Sequence, residues 1–462
     1  MFDYPIFEMP VLGHRLIFAI DAILHVLISH GAAVGGSIVL ALTQWYAIKT
    51  NDQKLYDLTY KILFVLFVAA TAIGALTGIG IWIHANIIDP PAIGSLLRVF
   101  FWKWFTEWIV FNVELIFLLL WFLTWKSYGW EKRHANLKFG VVYAVASWLT
   151  MVIITAILGF MLTPGNWLKS DFPAQPDYLA SLFNPSWIPS LMFRTFFAIG
   201  FAAAISMYWT WWFTRNDLDL REKAERWFGR IVLATIPITA VFGLWYYAQI
   251  PPEAKSLMFV AGLTTKYIGH KEMLIIALLG AFVLILVAVF AFYIKPKAVP
   301  FALASLMMVS YVFLVAEFER IREFVRKPYI IYGYMYAHGI RNFDVAHLNQ
   351  VGVLKYASFV PPQYRTITEE NKVKVGEYLF KLECRVCHSV NGVNAITKKV
   401  KGLGETAIYY RIGTLNSPAT PFMPPFVGTD EERKALAAYL STLVNQKETI
   451  TAKNNTGGLN NE

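Results

Sequence analysis

Cysteine is nearly absent: the 462 residues contain two, Cys384 and Cys387. A structural zinc site normally needs four protein ligands, and no further thiol exists to complete one around this pair. No nucleic-acid-binding motif occurs, so the formal net charge of +10 requires another explanation. No cleavable leader is expected, because the first apolar run follows Arg15, is too long, and carries no small-residue cleavage site. What the chain does have is apolar bulk, with 56% hydrophobic and 16% aromatic residues.

That bulk is gathered into runs longer than the roughly 20 residues needed to cross a bilayer. About eight are expected, over residues 16–47, 59–83, 98–125, 138–162, 190–213, 227–249, 272–294 and 299–322. Basic residues concentrate in alternate loops: Lys49 and Lys54; Lys126, Lys132, Arg133 and Lys138; Arg215, Arg221, Lys223 and Arg226; Lys295 and Lys297. The opposite loops, 84–97, 164–189 and 250–270, hold only Lys169, Lys255 and Lys266. The positive-inside rule puts the basic loops in the cytoplasm, with both the N-terminus and the C-terminal domain outside. Membrane topology thus accounts for the net charge.

Both cysteines fall in Cys384-Arg385-Val386-Cys387-His388. Two thiols three positions apart can take the two vinyl groups of a haem while the adjacent imidazole meets iron, so the pentapeptide reads as covalent haem c attachment. A redox dithiol is the rival reading. The sixth ligand is expected downstream, and Met423 in Thr420-Pro421-Phe422-Met423-Pro424-Pro425-Phe426 sits on a proline-stiffened loop, with core filler as the alternative role. Helix signals flank this pair. The segment from Glu369 to Cys384 is amphipathic, and Thr429-Asp430-Glu431-Glu432 forms a capping box ahead of Leu436, Tyr439 and Leu440. In the order and spacing of these motifs residues 366–446 resemble a class I cytochrome c. Attachment of haem c on the extracytoplasmic side agrees with the charge-based orientation.

Ionisable residues inside spans are functional candidates. The first span has Asp21, His25 and His30, with Asp21 one turn from His25 and able to orient its ring towards a haem iron. Helix-packing histidines are the alternative. In the third span, Glu107 and Glu114 lie seven residues apart on one face, a spacing suited to a proton relay, although Glu107 could instead pair with Lys103. The eighth span ends in Glu317, Glu319, Arg320, Arg322, Glu323, Arg326 and Lys327, on the side where cations are not favoured. Haem propionates would hold them, with Glu319, Arg322, Glu323 and Arg326 on roughly one face; an interhelical salt-bridge network would also.

The run from Arg15 to His25 (Arg-Leu-Ile-Phe-Ala-Ile-Asp-Ala-Ile-Leu-His) resembles the opening helix of subunit I of cytochrome bd oxidases, in register at the Arg, Phe and His. Thr77-Gly78, the paired glutamates, Asn184-Pro185 and Glu323-Phe324-Val325-Arg326-Lys327-Pro328-Tyr329 extend the resemblance over about residues 10–335. It implies that His25 and Glu323 are haem ligands, that Arg15 and Arg326 belong to the haem site, and that one or two non-covalent haems b or d are held beside a second membrane subunit like the family's subunit II. Where the family has a fifth-span histidine this chain has Arg194, which stays protonated and cannot ligate iron; Met273 matches the family's methionine partner only loosely. The long quinol-oxidising loop is replaced by residues 250–270, and a ninth span is missing.

The expected fold is therefore all-α: a polytopic membrane helix bundle of about eight transmembrane helices (1–345), a connector (346–365), a small extracytoplasmic cytochrome c domain (366–448) and a disordered tail (449–462). The expected function is respiratory, in a bacterial inner membrane. The haem c would replace the quinol site as electron port, and the chain acts either as an oxidase or as an electron-transfer subunit of a larger complex. An extracytoplasmic cytochrome, another carrier or a quinone would be its redox partner; membrane lipid surrounds it, and nucleic acid has no place. His84, His270, His338 and His347 are candidate contact residues near the outer boundary, or surface histidines without a role.

Overall fold

The computed structural model describes residues 7–169, 178–258 and 271–456. Lys266, His270 and the end of the expected tail lie outside them. Among the described residues eight helices are long and apolar enough to cross a membrane: α1 (His14–Lys49), α2 (Gln53–Ile88), α3 (Pro90–Tyr128), α4 (Arg133–Leu162), α5 (Trp187–Phe213), α6 (Leu218–Gln249), α7 (Lys271–Ile294) and α8 (Phe301–Phe324). Each contains one of the expected runs almost entire. Several start earlier because polar caps extend them: Asp52 accepts from Leu55 N at 3.0 Å and Asp217 from Leu220 N at 3.1 Å, which opens α2 and α6 upstream of their apolar stretches. The chain is a multi-pass membrane protein.

It divides into two compact units. One comprises Asp21–Gly80 and Leu97–Val325, the body of the bundle; the other comprises Met1–Ile20, Ile81–Leu96 and Arg326–Glu462. In the bundle, Phe201, Phe228, Phe292, Leu40, Leu55 and Ile62 are fully buried. The bundle core also holds one closed polar knot. Gln44 Nε2 donates to Asn136 Oδ1 at 2.8 Å, Trp121 Nε1 donates to Gln44 Oε1 at 2.9 Å, and Asn136 Nδ2 donates to the Trp121 carbonyl at 2.8 Å. Every member is satisfied, as a buried amide requires.

In the second unit, a hairpin of β1 (Tyr329–Ile331) and β2 (Met335–Tyr336) follows α8. Tyr329-Ile330-Ile331-Tyr332 supplies strand formers and Gly333, at φ +71°, makes the turn. It is the one departure from the all-α expectation among the described residues. Then come α9 (Val345–Val351), α10 (Lys372–Leu379, continuing as π-helix through Cys384), α11 (Ile396–Lys399), α12 (Glu405–Gly413) and α13 (Asp430–Thr456). Because α13 runs on to Thr456, helix occupies the first part of the stretch expected as a disordered tail. Helices α10 and α13 pack through Val375, Leu379, Phe380, Leu436 and Leu440. Their backbones meet at Gly376, where a Cβ would lie 2.0 Å from the Ala435 carbonyl oxygen, so only glycine admits this crossing. The capping box is present: Thr429 Oγ1 accepts from Glu432 N at 3.2 Å, and Glu432 accepts from Thr429 N at 2.9 Å.

Candidate functional site

Each unit carries a polar constellation. In the second, Cys384 and Cys387 occupy one turn, with Cys387 N and His388 N both donating to the Cys384 carbonyl at 3.1 and 2.9 Å. Both thiols are free. His388 Nδ1 lies 3.0 Å from the Asn394 carbonyl; a carbonyl only accepts, so Nδ1 carries the proton and Nε2 is bare for a metal. Burial lowers the His388 pKa, which keeps the ring neutral, and raises that of the Cys384 thiol, helped by Glu383. Among the described residues no group of three or more His, Cys, Asp or Glu gathers as a metal ion would need. The arrangement fits two thioethers and one axial imidazole.

Arg15, expected at a haem site of the bundle, has its Nη2 donating to Cys387 Sγ at 3.5 Å. The neighbouring His14 is almost fully buried, and its Nε2 has no hydrogen-bond partner. Nothing in the sequence singles His14 out, because it stands at the start of an apolar run. Met423 is half-buried on a turn closed by its N–H to the Thr420 carbonyl at 3.1 Å.

In the bundle, His25 Nδ1 lies 3.2 Å from Thr77 Oγ1. The Thr77 hydroxyl donates to the Ile73 carbonyl at 2.8 Å, so its lone pair accepts from Nδ1–H and His25 Nε2 is again the bare nitrogen. Thr77 thus meets the ring at Nδ1, and the Asp21 carboxylate lies against Gly80. Gly78 completes the cradle, since a Cβ there would lie 3.3 Å from His25 Cε1. The first two spans are π-helical here, over Ser29–Val34 and Ala69–Gly74, a distortion that concentrates at functional sites.

His30, expected as a possible extra ligand, is engaged at both nitrogens. Arg194 Nη1 donates to Nε2 at 3.1 Å, and Nδ1 meets Ser29 Oγ at 3.1 Å. Arg194 Nη2 in turn donates to Glu319 at 3.0 Å, with both side chains 3% exposed, and Arg322 Nε donates to the other Glu319 oxygen at 2.8 Å. The salt-bridge reading of the eighth span thus holds for Glu319 and Arg322. Even so, Arg194 Nε and Arg322 Nη1 are buried without a hydrogen-bond partner. Glu323 is half-buried on the last turn of α8, which ends at Phe324, so Arg326 lies beyond the helix and not on its face. On α3, Glu114 is buried and accepts from Thr150 Oγ1 at 3.2 Å, Glu107 is half-buried, and Lys103 Nζ donates to Ser181 Oγ at 2.9 Å.

A family profile described as cytochrome bd terminal oxidase subunit I matches residues 14–252, more than half of the chain. A second, described as cytochrome c oxidase, cbb3-type, subunit III, matches residues 371–440. No curated protein matches. Among solved structures, the bd oxidase from Geobacillus thermodenitrificans is similar at 17% identity and a TM-score of 0.60, over 70% of this chain and 88% of that one. At that identity the likeness speaks for the fold.

Proposed function

This chain belongs to the cytochrome bd terminal oxidase subunit I family, and from that premise we propose that it is a cytochrome c-linked, bd-like oxidoreductase of a bacterial inner membrane, with the cytochrome c domain (366–448) on the periplasmic side. The family and the C-terminal cytochrome c similarity mark it as a haem-bearing membrane oxidoreductase of respiratory electron transfer. Bound haems supply the one-electron chemistry, covalently as haem c in one unit and non-covalently as haem b or d in the other.

Cys384 and Cys387 would anchor haem c, with His388 and Met423 as axial ligands. In the bundle His25 would ligate iron, and Glu323 would follow it as the carboxylate ligand of the family pattern. With Glu323 assigned to iron, Arg194, Arg322 and Glu319 retain one uncompensated positive charge and two unsatisfied donor nitrogens, which suits a propionate. The family pattern adds Arg326 as a further haem-site candidate. His30 serves as the acceptor for Arg194 and not as a ligand. Glu107 and Glu114 would carry protons; seven residues on one helix set them about 10 Å apart, so a water or a side chain must bridge them. A second membrane subunit and an extracytoplasmic electron carrier are the partners.

The single observation that carries the reading is the bare Nε2 of His25, with Thr77 fixing the opposite nitrogen. Arg194 in place of the fifth-span histidine favours a second reading, an electron-transfer subunit that reduces no oxygen. Reduced-minus-oxidised spectra with and without carbon monoxide separate the two. A carbon monoxide-shifted b or d signal, with oxygen uptake from a reduced c-type donor, supports the oxidase; unreactive b haem supports the second reading.

A further inference from the structure

The turn that carries Met423 is held from its far side. Pro421, Pro424 and Pro425 offer no N–H, so residues 421–425 have little of their own with which to bond. Three side chains from elsewhere take up the backbone groups just beyond. His338 Nε2 lies 3.2 Å from the Pro425 carbonyl, Glu383 accepts from Val427 N at 2.9 Å, and Asn349 Oδ1 accepts from Gly428 N at 2.9 Å. Two of these anchors, His338 and Asn349, lie before residue 366, outside the segment with cytochrome c motifs.

His338 is the most constrained of the three. It is 3% exposed. Ile340 N donates to its Nδ1 at 3.4 Å, which puts the ring proton on Nε2, facing a carbonyl that can only accept. Its own backbone is fixed by the hairpin: Tyr336 N donates to the Ile340 carbonyl at 2.8 Å, Gly339 N to the Tyr336 carbonyl at 2.9 Å, and Ala337 N to the Pro328 carbonyl at 2.8 Å. An imidazole buried on a rigid turn and aimed two residues past a candidate axial ligand is placed to hold that ligand.

We propose that His338 is a positioning residue for haem c, keeping the Met423 sulfur on iron by hydrogen-bonding the Pro425 carbonyl, so that residues 326–365 are part of the haem c site and not a passive connector. The proposal rests on the reading of Met423 as sixth ligand. His338 itself touches no iron. Without its hydrogen bond the proline-rich turn loses one of three anchors, and the methionine gives way more readily to a competing ligand as pH rises.

The test uses the full-length oxidised protein and follows the methionine-to-iron(III) charge-transfer band against pH, together with the haem c midpoint potential. His338→Leu should shift the equilibrium towards the methionine-free form about tenfold, the effect of one buried hydrogen bond, and lower the potential, because methionine ligation raises it. His338→Gln, whose amide can donate at similar reach, should restore both. Asn349→Ala removes the neighbouring anchor with His338 intact and should act in the same direction; it decides the matter if His338→Leu does not accumulate. A band that disappears in Met423→Ala but is unmoved by His338→Leu and Asn349→Ala overturns the proposal alone. A wild-type protein without the band, or one that Met423→Ala leaves unchanged, removes the ligand reading and this proposal with it, and turns attention to the bare Nε2 of His14.

Discussion

The central buried ionisable groups of the two units are satisfied in different ways. In the bundle, Arg194, Glu319, Arg322 and His30 bond to one another. In the haem c unit, His338, Glu383 and Glu432 bond to backbone: Glu432 accepts from Val353 N, Leu354 N and Thr429 N at 3.1, 3.0 and 2.9 Å. The difference follows from secondary structure. Long helices use nearly all their own N–H and C=O groups, so a charge among them turns mostly to other side chains. A small unit rich in turns has backbone groups to spare, and a single carboxylate can collect several. A bundle charge therefore depends on distant partners, whereas a charge in the haem c unit depends on the shape of nearby loops.

The sharpest way to break that contrast is at Glu319. Replacing it with Ala leaves two buried guanidinium groups unpaired, with an expected loss of about 3–5 kcal/mol. Thermal unfolding in detergent should show it, and the double change Arg194→Leu with Glu319→Leu should recover only the share owed to Arg194, because Arg322 still lacks its partner. A next probe uses pH. Burial lowers the His338 pKa from its ordinary 6.5 to about 4. Folding thus favours the neutral ring, and its contribution is complete above pH 6.5 and lost as pH falls towards 4. The haem c unit should lose ~3 kcal/mol over that window, at about 1.36 kcal/mol for each pH unit crossed, a slope that His338→Gln should flatten.

Smaller effects sharpen the comparison. Glu432→Ala strands three N–H groups and removes one half of the capping box of α13, for an expected cost of roughly 1–3 kcal/mol, confined to the haem c unit and measurable by chemical denaturation followed at its haem. Thr77→Val removes the hydroxyl that meets His25 Nδ1 and donates to the Ile73 carbonyl. It should weaken non-covalent haem retention by about 10–100-fold while leaving haem c untouched, as judged by haem content after detergent dilution.

Legibility in the sequence followed the same division. Hydropathy located the eight spans because lipid imposes length, and the Cys-x-x-Cys-His run and the Thr429 to Glu432 box were readable because each is local. Arg194 was recognisable as a departure, but not its pairing with Glu319, 125 positions away. Thr77 as the partner of His25, Arg15 beside Cys387 and the anchors of the Met423 turn were equally out of reach, because each is a long-range contact with no period or spacing to announce it. The hairpin at Tyr329–Tyr336 did leave a signal, strand formers around Gly333, in a stretch the all-α expectation assigned to the membrane domain.

The central claim is one haem in each unit, covalent in one and held at His25 in the other. Acid-acetone extraction of the purified wild-type and His25→Ala proteins, with pyridine haemochrome analysis of extract and residue, tests it directly. The account predicts haem c in both residues and extractable haem in the wild type only. Extractable haem unchanged by His25→Ala, or none in the wild type, would contradict it.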